Sequence, residues 1–251
     1  MDRSTVFGLL LGIGGILLGN FLEGGQIASL GQSTAFIIVL TGTFGAVLVS
    51  NRTKDLKLGF ELFKQTFKES NLDYQKPIAE ILECARLAKK ETIISIEPKL
   101  NQMQNPLLKE ILKNVIDGVD VELTRKIFEY RIDKDEKKLL SAGRIWADAG
   151  GFSPTIGIIG AVLGLIHVMG NLTDTSKLGT GIAVAFVATV YGVGFANLIF
   201  IPISNKIKKN IYEVTRYKKM ILEGGLLVGS GLNPLLIEQK LTSYVSDSVK
   251  K

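Results

Sequence analysis

The chain has one cysteine, one histidine and one tryptophan. A lone Cys84 can form neither an internal disulfide nor a multi-thiolate metal site, and it reads as a small apolar packing residue. His167 is the only imidazole, and no carboxylates cluster in a pocket-like context. Little is left for catalysis, so the chain is not expected to be an enzyme or to hold a cofactor or metal. A nucleic-acid-reading motif is also missing. The net charge of +6 comes from basic residues interleaved with acids, and no nucleic-acid partner is expected. The most informative absence is of charge itself, which nearly vanishes over residues 6–50 and 150–203 and is dense elsewhere. A bilayer demands that segregation; a soluble core does not.

Four apolar runs approach the roughly 20 residues needed to cross the hydrocarbon. They cover residues 6–22, 33–50, 152–172 and 179–203. The first follows Met1-Asp2-Arg3, whose side chains carry no net positive charge, and no small-x-small cleavage site comes after it. It reads as a retained membrane helix, not a signal peptide. Residues 23–32 hold no Lys or Arg, and the connection 173–178, read as a tight turn, holds only Lys177. Basic residues concentrate in 51–149 and beyond 204, which by the positive-inside rule places both regions, and both termini, in the cytoplasm.

The middle of the chain reads as helix. Phe60, Phe63, Phe67 and Leu72 recur at helical spacing, as do Ile78, Ile81, Leu82 and Ala85. Pro77, Pro98 and Pro106 punctuate it, and from Pro106 to about residue 149 one long amphipathic run is expected, with breaks marked at Gly118 and at the charges of 133–138. Strand signals are weak, so the fold class is all-α. The expected division is 1–50 for the first two membrane helices, 51–151 for a helical cytoplasmic domain, 152–203 for the last two membrane helices, and 204–251 for a helical tail.

Small residues punctuate the spans. Gly8 and Gly12, Gly15 and Gly19, and Gly160 and Gly164 share small-xxx-small spacing, and Gly181, Ala185, Ala188, Gly192 and Ala196 form a stripe. Such stripes let membrane helices approach closely, either within one four-helix unit or against a partner helix; spacing alone leaves both open. No Asp, Glu, Lys or Arg lies inside a proposed span. An intramembrane carboxylate usually marks an ion path, so if this chain serves ion flow the carboxylate must come from another polypeptide. The polar groups that remain include Thr43, His167, Asn171, Thr189, Tyr191 and Asn197. His167 without a partner makes a poor relay and reads as a locally bonded neutral imidazole. Thr189 can bond its own i−4 carbonyl or face a cavity. Pro154 and Pro202 stand near the ends of the third and fourth spans, where each frees a backbone carbonyl.

Four segments taken together carry a resemblance. They are FSPTIGIIGAVLGL (152–165), AVAFVATVYGVGFANLIFIP (183–202), LAKKETIISIE (87–97) and GLNPLLIEQKL (231–241). In their order along the chain they resemble the MotA/PomA family of flagellar motor stator subunits across essentially the whole chain. Two departures are Thr92, where glycine is common, and Leu235, where arginine is common after Asn-Pro.

The resemblance implies a pentameric ring of this chain around a MotB-like single-span subunit that supplies the transmembrane aspartate. Ion flow would turn the ring, whose cytoplasmic part drives the rotor protein FliG. It implies that Pro154, Gly160, Ala161, Gly164, Ala188, Thr189, Gly192 and Pro202 face the ion path or partner, and that Lys89, Lys90 and Glu97 engage the rotor. Sodium-driven relatives tend to place threonine where this chain has Ala161 and Ala188. A hard cation needs several oxygen ligands and a proton needs one titratable site, so the translocated ion is expected to be the proton. The alternatives are an ExbB/TolQ-like energiser, which typically has three spans, and a self-contained channel or transporter, which would carry its own intramembrane charges or internal repeats. The location expected from the resemblance is the bacterial inner membrane.

Overall fold

The computed structural model describes residues 2–68, 72–170 and 175–249. Regular structure among them is helical throughout: α1 (Arg3–Leu22), a 3₁₀ turn Ile27–Leu30, α2 (Ser33–Ser50), α3 (Thr53–Thr66), α4 (Gln75–Lys90), a 3₁₀ turn Ile93–Ile96, α5 (Glu97–Leu100), α6 (Pro106–Ile116), α7 (Val121–Met169), α8 (Thr175–Gly194), a π-helical turn Phe195–Phe200, α9 (Ile201–Gly229) and α10 (Pro234–Val249). Four of these helical stretches are long and apolar enough to cross a membrane: Arg3–Leu22, Ile27–Ser50, the window in Val121–Met169 and that in Leu178–Gly229. The chain packs as two units, Met1–Glu69 with Lys138–Lys209, and Ser70–Lys137 with Asn210–Lys251. The expected borders at 50, 151 and 203 follow where charge resumes. The packing borders fall elsewhere because α7 and α9 run on past the apolar windows.

In the first unit, α1 is apolar all round and buries no residue within the chain, as suits a helix solvated by lipid. Its first turn is tied down. Asp2 caps it through Oδ1 to the Ser4 N–H (3.1 Å), and the same carboxylate pairs with Lys206. Helix α2 buries one stripe, Ala35, Val39, Thr43 and Val47, and packs on α8 with Val187 and Ala188. Helix α3 lies against α7: a Cβ on Gly59 would sit 2.3 Å from Ile145 Cδ1 and 2.6 Å from Ala142 O, so only glycine fits. The Gly59 carbonyl accepts the Trp146 indole N–H at 2.9 Å.

The second unit is a helical core built on Ile81, Ile96, Leu108, Ile111, Leu112, Met220, Ile221, Leu226, Ile237 and Leu241. The buried positions of α6, Leu108, Ile111, Leu112 and Val115, keep the helical spacing that puts them on one face. Asn105 Oδ1 caps that helix, accepting from the Leu107 and Leu108 N–H groups at 3.1 Å. Gly118, at φ 76°, breaks the run from Pro106 into α6 and α7, and Asp120 Oδ1 restarts it by accepting from the Leu123 N–H at 2.9 Å.

Three local expectations need correction. The charges of 133–138 do not break α7, because charged side chains on a helix reach outward: Asp133 pairs with Lys219 at 2.8 Å and Asp135 with Lys218 at 3.5 Å. Phe67 caps α3 and Leu72 lies beyond it, so neither extends that helix. Of the expected turn 173–178, residues 175–178 are already helical, while 173 and 174, like Asn171, lie outside the described residues.

Glu223 joins three helices of the second unit. It accepts from Arg125 at 2.7 Å and pairs with Lys240. Burial pushes its carboxyl up, but the hydrogen bonds from Lys240 and Arg125 and their charges outweigh that, and the net pKa lies below the ordinary value. A depressed folded pKa stabilises above the unfolded value of about 4.3 and loses that contribution as pH falls through the folded pKa. Glu223→Gln is therefore expected to lower the melting temperature at pH 7 by the equivalent of about 2 kcal/mol. It should also flatten the loss of stability between pH 7 and strongly acidic pH. Parallel melting curves for variant and wild type across that range would refute the assignment.

Candidate functional site

Helices α7 and α8 meet along a seam of small residues. A Cβ on Gly164 would lie 2.9 Å from Ala185 N, one on Gly160 2.8 Å from Ala188 Cβ, and one on Gly157 2.9 Å from Ala188 O. One on Gly192 would lie 2.7 Å from Ser153 O and 2.9 Å from Gly157 Cα. The seam runs antiparallel, Gly164 on Ala185 down to Ser153 on Gly192, and Ala188 at its centre has no exposure. Of the residues expected to face an ion path or partner, Gly160, Gly164, Ala188 and Gly192 are brought together here, holding two helices of one chain in contact. Ala161, Thr189 and Pro154 are half-buried and Pro202 is exposed, so these four retain accessible surface.

The hydroxyls divide in the same way. Thr189 Oγ1 donates to the Ala185 carbonyl, i−4, at 3.4 Å, a long bond that a better acceptor can replace. Thr43 and Ser153 are fully buried, and neither hydroxyl oxygen has a hydrogen-bond partner. Sequence reasoning singled out Thr43 but missed Ser153 and Gly157. The spacing 153, 157, 160, 164 is a small-residue row on one helix face and could have found them.

Pro202 follows a π turn. The Ile201 N–H donates to Ala196 O, five residues back, and Asn197 Nδ2 donates to Val193 O at 2.9 Å. The wider turn shifts the pairing of the carbonyls just ahead of the proline, which itself brings no N–H donor. A cavity of about 380 Å³ lies between α1 and the π turn, lined by Ile13, Leu17, Leu30, Tyr191, Phe195 and Leu198. Its lining is apolar, and at its edge the Tyr191 hydroxyl is spent on the Leu30 carbonyl. It offers an ion no ligands.

In the second unit, Lys89 and Lys90 end α4 and Glu97 opens α5, all three exposed. The 3₁₀ turn between them packs on α4 through buried Ile96 and leaves Ile94 exposed, so the charges flank an apolar tip. Among the described residues no group of three His, Cys, Asp or Glu side chains is placed to hold a metal.

The sequence pattern of the motility protein A N-terminal region matches residues 6–91, and that of the MotA/TolQ/ExbB proton channel family matches residues 99–220. The chain is 31% identical to motility protein A of Bacillus subtilis (strain 168) over 246 residues, covering 98% of this chain and 91% of that one. The solved flagellar MotAB stator complex from Bacillus subtilis superposes with a TM-score of 0.89 at 31% identity, covering 99% of both chains. The C. jejuni MotAB structure gives 0.89 at 29% identity, covering 97% of this chain and 96% of that one. With spans, seam and exposed charges in place along its whole length, the chain belongs to the motility protein A family.

Proposed function

We propose that this chain is the carboxylate-free half of a flagellar stator, working with a MotB-like single-span partner to turn inward proton flow into torque. The observation that carries this reading is the empty charge inventory of the spans. Between residues 6–22, 33–50, 152–169 and 178–205 there is no Asp, Glu, Lys or Arg, so a titratable site at mid-membrane has to be supplied by a partner. The basic ends of the spans face the cytoplasm, and both termini with them. A ring of five copies around the partner supplies repeated equivalent sites. One charge falling through 100 mV releases about 2.3 kcal/mol, so sustained work needs many such steps.

Within the ring, the seam of Gly160, Gly164, Ala188 and Gly192 serves chiefly to hold α7 and α8 together. Ala161, Thr189, Pro154 and Pro202 are the residues with surface left for the ion path. Alanine at 161 and 188 offers no oxygen, which favours the proton over sodium. The exposed Lys89, Lys90 and Glu97 are the surface that meets FliG. The charge-poor hairpin of α1 and α2 speaks against the three-span ExbB/TolQ arrangement.

The test is co-expression with the single-span partner. Motility is expected to need both chains, and a partner lacking its membrane aspartate should assemble but stall. Thr189→Val should cut swimming speed severalfold while assembly is kept. Torque should persist when sodium is replaced by potassium. Ion conduction by this chain alone would sink the reading, and torque that vanishes without sodium would sink the choice of ion.

A further inference from the structure

The net charge is not shared evenly between the two units. Residues 70–137 and 210–251 hold 18 of the basic and 17 of the acidic side chains, close to balance. Residues 1–69 and 138–209 hold the other 12 basic and 7 acidic. Of these, Glu23, Asp174 and Lys177 belong to the two charge-poor connections. What remains at the opposite ends of the spans accounts for the whole excess of +6. A face that merely keeps a protein soluble mixes signs, as the second unit does.

Helix α3 with its flanks, residues 52–68, holds five basic and two acidic side chains, half of that excess. Its inward positions, Gly59, Leu62 and Thr66, are buried. Lys54, Lys57 and Lys64 lie on its exposed side with Glu61 among them, Lys68 stands exposed just beyond the Phe67 cap, and Phe60 beside them is 45% exposed. Arg52, also exposed, stands just before the helix. Both ends of α3 are tied to membrane spans. Only Asn51 and Arg52 separate it from α2, and the Phe67 carbonyl at its far end accepts the Asp2 N–H at 3.0 Å, at the cap of α1. A helix held at both ends to the charged ends of two spans cannot leave the headgroup region.

From this placement we infer that the exposed basic side of α3, Lys57 and Lys64 with Arg52 and Lys68 at its two ends and the Phe60 ring beside them, is a binding site for anionic phospholipid headgroups. The lysines meet the phosphates as point charges, and Phe60 inserts at the boundary of headgroup and acyl chain. Negative surface potential favours each such basic residue by about 1 kcal/mol, roughly fivefold in occupancy. The inference rests on the membrane orientation proposed above, but its test does not use ion flow or motility, so the two can fail separately.

The full chain, with its partner, is reconstituted in phosphatidylcholine nanodiscs doped with an acyl-dansylated lipid, either phosphatidylglycerol or phosphatidylcholine. Trp146 is the only tryptophan of this chain and its ring lies 5.2 Å from that of Phe60, so, with any tryptophan of the partner replaced by phenylalanine, energy transfer from it reports lipid close to α3. Transfer to the phosphatidylglycerol probe is expected to saturate at a roughly tenfold lower probe fraction than to the phosphatidylcholine probe. The preference should fall at least threefold in the variant carrying Lys57→Gln, Lys64→Gln and Lys68→Gln, and collapse in high salt. Equal transfer to both probes in the wild type overturns the site. A preference that survives the triple substitution assigns it elsewhere and equally overturns it. Should the triple variant fail to fold, Lys64→Gln alone and the wild-type salt titration decide, and a salt-independent preference rejects the proposal.

Discussion

Gly192→Val is expected to leave the protein unable to accumulate in the membrane in stable form. A Cβ at this position would sit 2.7 Å from the Ser153 carbonyl oxygen and 2.9 Å from Gly157 Cα, so the obstacle is backbone on the facing helix and no side chain can swing aside. Relief requires α7 and α8 to separate. That opens the contacts of Gly157, Gly160 and Gly164 with Ala185 and Ala188 as well, since all lie on the same two rigid helices. Overpacking a well-packed interior costs about 1–3 kcal/mol even where neighbours yield, and here the lost helix contact adds to it. Gly192→Ala should show a smaller loss in the same direction. Gly194→Ala is the control: nothing stands within 4 Å of a Cβ there, and alanine is the better helix former by about 1 kcal/mol, so its stability should equal or exceed wild type. The measurement is the melting temperature of the detergent-solubilised protein. If Gly192→Val melts with the wild type, the seam is not the contact described.

Much of this could be read from residue order, and the reasons differ from place to place. The spans were legible because a bilayer excludes charge, and residues 33–50, free of any charge, coincide with α2. The break at Gly118 was legible because a left-handed backbone asks for glycine. The charges of 133–138 misled, because charge density signals exposure and carries no instruction to end a helix; Lys218 and Lys219, some eighty residues away, complete those pairs. The seam was half legible. Small-residue spacing marked Gly160, Gly164, Ala188 and Gly192, but spacing cannot say whether such residues meet their own chain or another's. Ser153 and Gly157 were missed because a serine beside a proline reads first as a helix end. The π turn had Pro202 as its only herald, and no local propensity distinguishes it from ordinary helix.

The long-range aromatic packing of the first unit was the least legible feature, because its members lie on α2, α3, α7 and the π turn. Trp146 is their centre. Its ring centroid lies 4.6 Å from that of Phe63, 5.2 Å from Phe60, 6.1 Å from Phe200 and 6.4 Å from Phe44, and its indole N–H is spent on the Gly59 carbonyl. The side chain is buried, at 4% exposure. Trp146→Ala should therefore remove the contact on which α2, α3 and the π turn converge and leave the Gly59 carbonyl without that donor. Truncating a buried tryptophan costs about 3–5 kcal/mol, and edge-to-face and offset ring pairs add about 0.5–1.5 kcal/mol beyond area. For a chain of this length, that corresponds to a melting temperature lower by roughly 10 °C. Trp146→Phe separates the parts of this loss, since it keeps most of the ring contacts and gives up the hydrogen bond. It should cost about 1–3 kcal/mol, well short of the alanine variant. The same pair of variants tests how α3 is held. With the Gly59 contact loosened, protease cleavage within residues 53–66 should become faster in Trp146→Ala than in Trp146→Phe. Equal cleavage of both variants and wild type would mean that α3 is anchored by its two ends alone, and that the aromatic cluster contributes packing without positioning it.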